Sequence, residues 1–380
     1  MNPKSKVVLE PAGGTPTLVR TVLVLFFLYL FLVGVSFLET GISGLGAGFQ
    51  EGLLASVSHP ISGLCAGLLG TVLAQSSSVT TATIVGMVGA GTLPLNLAIP
   101  MIMGANIGTT VTSTLAALGS IRRSEEFRRA FAAATMHDFF NLIAVVILLP
   151  LELATGILRR AATELTEVLR GSDIELSGPG QSPIRTAVKA PIEVLEGLIA
   201  PTGATALFYI VLALTLIFIA LALITKNMRR LVAGSVEKAM NRVIGVGGGA
   251  MGILVGVAVT VAVQSSSITT SILVPLVASG VLALRSAYPI TLGANIGTTV
   301  TALIASLAVA LPEGLTIALV HLFFNCLAVG LLYPIPRIRM IPIRLADRLA
   351  AVAVERHQVV LVWLVAVFGV LPLIGLFLLQ

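Results

Sequence analysis

Two stretches place hydroxyl and amide groups in sequence otherwise starved of polarity. Gln75–Ser78 reads QSSS inside LAQSSSVTTATIV, and Gln264–Ser267 reads QSSS again inside VQSSSITTSIL. A polar run among Leu, Val, Ala and Gly must be hydrogen-bonded internally or bind something. If Gln75, Ser76, Ser77 and Ser78 lie at the tip of a helical hairpin, a new helix starts there. Its free N–H groups and the hydroxyls then converge, and its dipole favours negative charge. Gln264, Ser265 and Ser266 offer the same groups. This is oxyanion-binding chemistry without an obligatory fixed cation. The alternative is packing, with small hydroxyls back-bonding to carbonyls of their own helix.

GANIGTTVT, at Gly104–Thr112 and again at Gly293–Thr301, suggests different chemistry. Two glycines flanking Asn-Ile invite an unwound break, and freed carbonyls inside a membrane are tolerated only where they line a cavity. Thr109 and Thr112 share a helix face, as do Thr298 and Thr301. With the amides of Asn106 and Asn295 they make a hard, uncharged oxygen cage. That suits Na+, whereas Mg2+ or Ca2+ normally draws carboxylates. The alternative is a glycine-lined packing contact. No acidic residue occurs between Gly52 and Ser124, nor between Met240 and Pro312. A proton relay through an intramembrane carboxylate is therefore disfavoured. His137 and Asp138 could pair or serve a gate, but a local hydrogen-bonded contact is the plainer reading. An enzyme is not expected, because QSSS lacks nucleophile-elbow spacing.

These groups need a scaffold, and composition says which kind. The 380 residues are 56% hydrophobic and 11% charged, against roughly 25% charged for a soluble domain. Apolar segments at Leu18–Leu38, Phe131–Leu151, Ala204–Ile224, Leu315–Tyr333 and Gln358–Leu378 are each long enough to span a bilayer. Leu18–Leu38 reads as a retained helix rather than a signal peptide. The net charge of +6 might suggest nucleic acid, but aromatic residues are 5% and interleave with no basic stripe. Nucleic acid is not an expected partner. Cys65 and Cys326 lie in apolar segments and read as two small buried thiols, not a disulfide framework or metal cluster.

Basic clusters at Lys4–Arg20, Ile121–Arg129, Lys226–Arg242 and Arg337–Arg348 belong in the cytoplasm by the positive-inside rule. Glu152–Ala200, with its Gly/Ser/Pro-rich GSDIELSGPGQSP, fits an outer linker. The crossing count closes only if Ile61–Gly91 and Val243–Gly280 dip in and return. One then enters from outside and the other from inside. Gln75–Thr114 and Gln264–Leu303 align without a gap, with 22 of 40 positions identical. MHDFFN at Met136–Asn141 is echoed by VHLFFN at Val320–Asn325, where Leu322 replaces the acid. Two copies inverted in the membrane are a common transporter plan.

The expected fold is therefore an all-α polytopic membrane protein of two inverted repeats. Each carries a re-entrant QSSS hairpin and a transmembrane helix broken at GANIGTT. Residues 1–60 form an N-terminal transmembrane helix and outer loop, 61–151 the first repeat and 152–202 an extracellular linker. Residues 203–242 are a transmembrane helix and cytoplasmic basic loop, 243–334 the second repeat, and 335–380 a basic segment and C-terminal transmembrane helix. The N-terminus is expected in the cytoplasm and the C-terminus outside.

The paired QSSS, the paired GANIGTT and EFRRAFAAATMHDFFN at Glu126–Asn141 closely resemble the type II sodium-dependent phosphate cotransporters, over about Ile61–Arg344. The resemblance implies Na+-driven uptake of inorganic phosphate by alternating access, with Na+ co-transported and no resident cofactor. It implies a sodium site at Gln264, Ser265, Ser266, Thr298 and Thr301, with Gln75, Thr109 and Thr112 as their first-copy mates. Phosphate would meet Ser76, Ser77, Ser78, Ser265 and Ser266, with Gln75, Asn106 and Asn295 completing the shell. A linker without a long glycosylated insertion or a cysteine pair is similar to a bacterial member, in the inner membrane. Monomer and homodimer both fit. Symport of another oxyanion, such as sulfate or a dicarboxylate, is the alternative, and a channel filter a further one.

Overall fold

The computed structural model describes residues 16–171, 183–199, 202–246 and 249–378. The described residues form helices and no strands. In chain order they are α1 (Thr17–Gly44), α2 (Ala47–Ser56), α3 (Pro60–Ala74), α4 (Ser77–Gly89), α5 (Leu95–Gly108), α6 (Val111–Ala117), α7 (Ser124–Thr155), α8 (Ile157–Gly171) and α9 (Pro183–Glu196). Then follow α10 (Gly203–Val246), α11 (Ala250–Val263), α12 (Ser266–Ala278), α13 (Leu284–Ser306), α14 (Glu313–Leu332), α15 (Pro336–Glu355), α16 (Gln358–Val365) and α17 (Leu371–Leu378).

Among the described residues, six helical segments are long and apolar enough to cross a membrane: Thr17–Gly44, Leu95–Ser120, Ser124–Thr155, Gly203–Val236, Glu313–Leu332 and Gln358–Leu378. Four of the five apolar segments expected from sequence fall within them, and Leu315–Tyr333 overruns its helix by one residue. α13 has the length, at 23 residues, but is more polar. It is buried along most of its course, so it can carry threonines that a lipid-facing helix could not. α3, α4, α11 and α12 are 15, 13, 14 and 13 residues long, short of the ~20 residues a span needs.

Glycine sets the tightest contacts. A Cβ on Gly67 would lie 1.9 Å from the Met101 carbonyl oxygen, and one on Gly104 1.8 Å from that of Leu64, so α3 and α5 touch backbone to backbone. In the second copy, a Cβ on Gly256 would lie 2.1 Å from Ile290 O, and one on Gly293 2.0 Å from Ile253 O, joining α11 to α13. Without a hydrophobic drive between helices in lipid, such close approach supplies dispersion contact that larger residues would forfeit.

The copies then interlock. α4 packs on α13 and α14, and α12 packs on α6 and α7, so each QSSS helix leans on the other copy. α8 crosses from the end of α7 to α14, where the Thr166 and Thr316 hydroxyls meet at 3.0 Å. α15 crosses from the end of α14 to α7, where Arg128 pairs with Asp347 at 3.1 Å. α1 and α10 form a tight pair that packs on α4 and α11.

The segment expected as an outer linker is helical at α8 and α9, both amphipathic, while its residues 172–182 lie outside the described set. Cys65 is buried as expected, but Cys326 is exposed.

Candidate functional site

Each QSSS motif begins with a strained residue. Gln75 (φ 52°) and Gln264 (φ 56°) are the only non-glycine residues with positive φ among those described. A side chain in that region costs roughly 1–2 kcal/mol, and such strain clusters where function requires it. The turn ends α3 and α11 and lets α4 and α12 start afresh. Ser76 and Ser265 are the N-caps, their Oγ atoms accepting from Val79 N and Ile268 N, each at 3.4 Å. Both glutamine amides donate back into their own helix: Gln75 Nε2 to Val72 O at 2.6 Å and Gln264 Nε2 to Val261 O at 2.7 Å. Each carboxamide oxygen is thereby left to accept from elsewhere.

The next two hydroxyls of each tip have no hydrogen-bond partner among the described residues. Ser77, Ser78 and Ser266 are buried, and Ser267 is half-buried. Thr270 of the second tip meets Ser113 of the first copy at 2.8 Å. The tip of the second copy therefore abuts the helix end that follows GANIGTT of the first. The tips combine free hydroxyls, free N-terminal amides and carboxamide oxygens, a set that can solvate an oxyanion or a small hard cation.

The break expected at GANIGTT appears in the first copy alone, as a two-residue interruption. α13 runs unbroken through Gly293–Thr301. In the first copy α5 and α6 are separated only at Thr109 and Thr110, both still right-handed, with Thr110 N shifted to Ile107 O. The glycines do not unwind the helix because they are taken up by the backbone contacts with α3 and α11. Thr109 and Thr298 spend their hydroxyls on Ala105 O and Ala294 O, each at 3.0 Å. Thr301 donates to Gln264 Oε1 at 3.2 Å, and the two line a cavity of about 140 Å3 against Phe31 and Met228. Thr112 is half-buried and makes no such bond to Gln75.

Asn106 and Asn295 are buried, and the structure joins them to a network rather than leaving them free. His137 Nε2 lies 2.9 Å from Asn295 Oδ1, and His321 Nε2 lies 3.4 Å from Asn106 Oδ1. Each histidine thus reaches the asparagine of the other copy. Asn295 Nδ2 donates to Asn141 Oδ1 at 2.7 Å, and Asn325 Nδ2 to Asn106 Oδ1 at 3.3 Å. Asn141 Nδ2 also caps the Asn106 carbonyl at 2.8 Å, the one released by the shift at Thr110.

His137 and Asp138 do not pair, because adjacent helical residues point apart. Asp138 Oδ2 instead accepts from Trp363 Nε1 at 2.9 Å, which ties the last membrane segment to the core. The local contact expected from sequence is a tertiary one. Reading the motifs alone passes over Asn141 and Asn325. The signal was present: His and Asn four apart, on one face, in both echoes of H-x-F-F-N.

The pattern of the family described as Na+/Pi-cotransporter matches residues 30–169 and 214–339. The sheep protein named sodium-dependent phosphate transport protein 2A is 34% identical over 429 aligned residues, covering 94% of this chain and 67% of the relative. The cattle protein named sodium-dependent phosphate transport protein 2B is 34% identical, covering 93% of this chain and 64% of the relative. The human 2B protein is 32% identical with the same coverage, so this chain spans somewhat under two thirds of the 2B relatives. No solved structure matches the chain.

Proposed function

The chain belongs to the Na+/Pi-cotransporter family, and from that premise we propose that it is a secondary transporter coupling inorganic phosphate uptake to Na+. The observation that carries this reading is the matched pair of left-handed glutamines, each opening a helix whose first hydroxyls are unspent. Phosphate binds between the tips at Ser76, Ser77, Ser78, Ser265 and Ser266, with the Gln75 amide oxygen and the asparagine shell adjoining. Na+ binds at Gln264 Oε1 with the Thr301 hydroxyl, joined by Ser265, Ser266 and Thr298 as that helix face is engaged. Gln75, Thr109 and Thr112 are the corresponding first-copy groups. Na+ is cargo here, not a resident metal.

The two hairpins are re-entrant, one mouth outside and one inside, and the copies are related by inversion. The lengths of α3, α4, α11 and α12 support this, as does the reciprocal packing of α4 and α12. Access alternates as the copies exchange which tip is open. The chain resides in a bacterial inner membrane, with α1 leading outward and Gln358–Leu378 leading outward last. The charge of Arg122–Arg129 and Lys226–Arg242 supports that orientation.

The deciding experiment is radiolabelled phosphate uptake into proteoliposomes under inward Na+, K+ or choline gradients. Uptake is expected with Na+ only, with arsenate competing well and sulfate poorly. Equal uptake in choline overturns sodium coupling, and preferential uptake of sulfate overturns the substrate.

A further inference from the structure

We infer that Arg159 and Arg160 form a second anion site, distinct from the QSSS tips, that takes a phosphate group, free or esterified, at the rim of the membrane domain. A cavity of about 190 Å3 opens where α5 begins and α7 gives way to α8, lined by Asn96, Pro100, Glu152, Gly156 and both arginines. Gly156, with φ +63°, reverses the chain there and turns the first residues of α8 over the cavity. A Cβ placed on it would lie 3.4 Å from Arg159 Nη2 and 3.7 Å from Nε of both Arg159 and Arg160. The two guanidinium groups therefore converge on one small volume.

Neither arginine makes an ion pair among the described residues. The carboxylate in the cavity lining, Glu152, is buried and accepts from backbone. Its Oε2 accepts from Leu158 N at 2.7 Å and its Oε1 from Arg159 N at 3.3 Å. Both guanidinium groups are exposed at the mouth of a cavity whose floor, Ile99, Leu149 and Leu153, is apolar, and their planar forks match phosphate oxygens two at a time. Asn96, exposed on α5, adds an amide donor at the opposite wall.

Depth sets the level of that phosphate. The candidate span Ser124–Thr155 ends at the cavity, which puts the arginines at headgroup level, on the outer face in the orientation proposed above, where guanidinium forks can meet the phosphate of an anionic lipid. Inorganic phosphate approaching the transport site passes the same level. Both present the same oxygens, so the test separates them.

Wild type and R159Q/R160Q are reconstituted in nanodiscs of phosphatidylcholine with or without phosphatidylglycerol. Lipid retained through gentle delipidation is then read by native mass spectrometry. In parallel, radiolabelled phosphate binding is read by equilibrium dialysis without Na+, where a sodium-coupled site is silent. Sodium-driven uptake at saturating phosphate confirms that the variant is folded. The site is expected to weaken about tenfold or more in the variant, with R159K/R160K losing part of that through the missing forks. Loss of phosphatidylglycerol adducts assigns a lipid headgroup, and loss of Na+-free phosphate binding assigns the free anion. Equal lipid retention and equal phosphate binding in wild type and R159Q/R160Q overturn the site and leave the transport reading untouched.

Discussion

The two copies share 22 of 40 residues across their central stretch, yet the second is tied down where the first is loose. At the second tip Thr260 and Thr269 hydroxyls meet at 2.8 Å across the turn, and Gln264 receives Thr301. At the first, the hydroxyl of Thr71, the mate of Thr260, is buried without a partner, and Gln75 is exposed. α13 runs straight where α5 and α6 are parted at Thr109 and Thr110. Identical residues thus sit in unequal settings in the two copies. The alternating access proposed above would require the copies to exchange such settings.

The hardest blow to the comparison falls where the copies are alike. Gly104→Ala and Gly293→Ala each drive a methyl into a carbonyl of the neighbouring helix, and overpacking of this kind costs about 3 kcal/mol or more. Both variants should lose monodisperse protein and thermal stability to a similar degree on size-exclusion and melting assays. If one copy tolerates alanine and the other does not, the matched backbone contact is not the principle of the fold.

A smaller effect should separate the copies. Gln264→Ala and Thr301→Val remove a bonded pair, so sodium activation of uptake should weaken by about 5–150-fold, the range of one lost buried polar contact of roughly 1–3 kcal/mol. Gln75→Ala and Thr112→Val, with no such bond, should weaken it less. Sodium titrations on protein matched for folding decide this, and equal loss in both copies would mean that the tighter bond at the second tip carries no functional weight.

The mildest expectation concerns access. Single cysteines at Ser78 and Ser267, in a background lacking Cys65 and Cys326, should react a few-fold faster from opposite faces with impermeant thiol reagents. Ser78 should favour the outside and Ser267 the inside, and phosphate with Na+ should protect both. Labelling of both from one face in right-side-out and inside-out vesicles alike would sink the inverted arrangement.

The repeated motifs made much of this legible. QSSS announced a polar turn in apolar sequence, and both copies deliver it at a left-handed glutamine. GANIGTT misled, for a physical reason. Glycine in a membrane helix permits either a break or a close neighbour, and only the partner decides which. Here Leu64 and Ile253 stand against Gly104 and Gly293, so α13 holds throughout and the first copy parts only beyond Gly108. The His–Asn network is also invisible locally, because each histidine finds its asparagine in the other copy. Its helical face could be read from the four-residue spacing, but its partner could not. The crossings of α8 and α15 went unread because their amphipathic faces resemble surface helices until the opposite copy supplies the surface.

Those crossings have a consequence for synthesis. α7 emerges from the ribosome about two hundred residues before α15, the helix that closes over it. α14, which follows α8, completes the other half of the clasp. Chains are made N-terminal first, so the first copy must wait in the bilayer with Asn106, His137 and Asp138 lacking their mates. Only when Trp363 and α15 have been inserted can the core be sealed. Assembly of this molecule is therefore a late, long-range event, and a truncated nascent chain is an open clasp rather than half a protein.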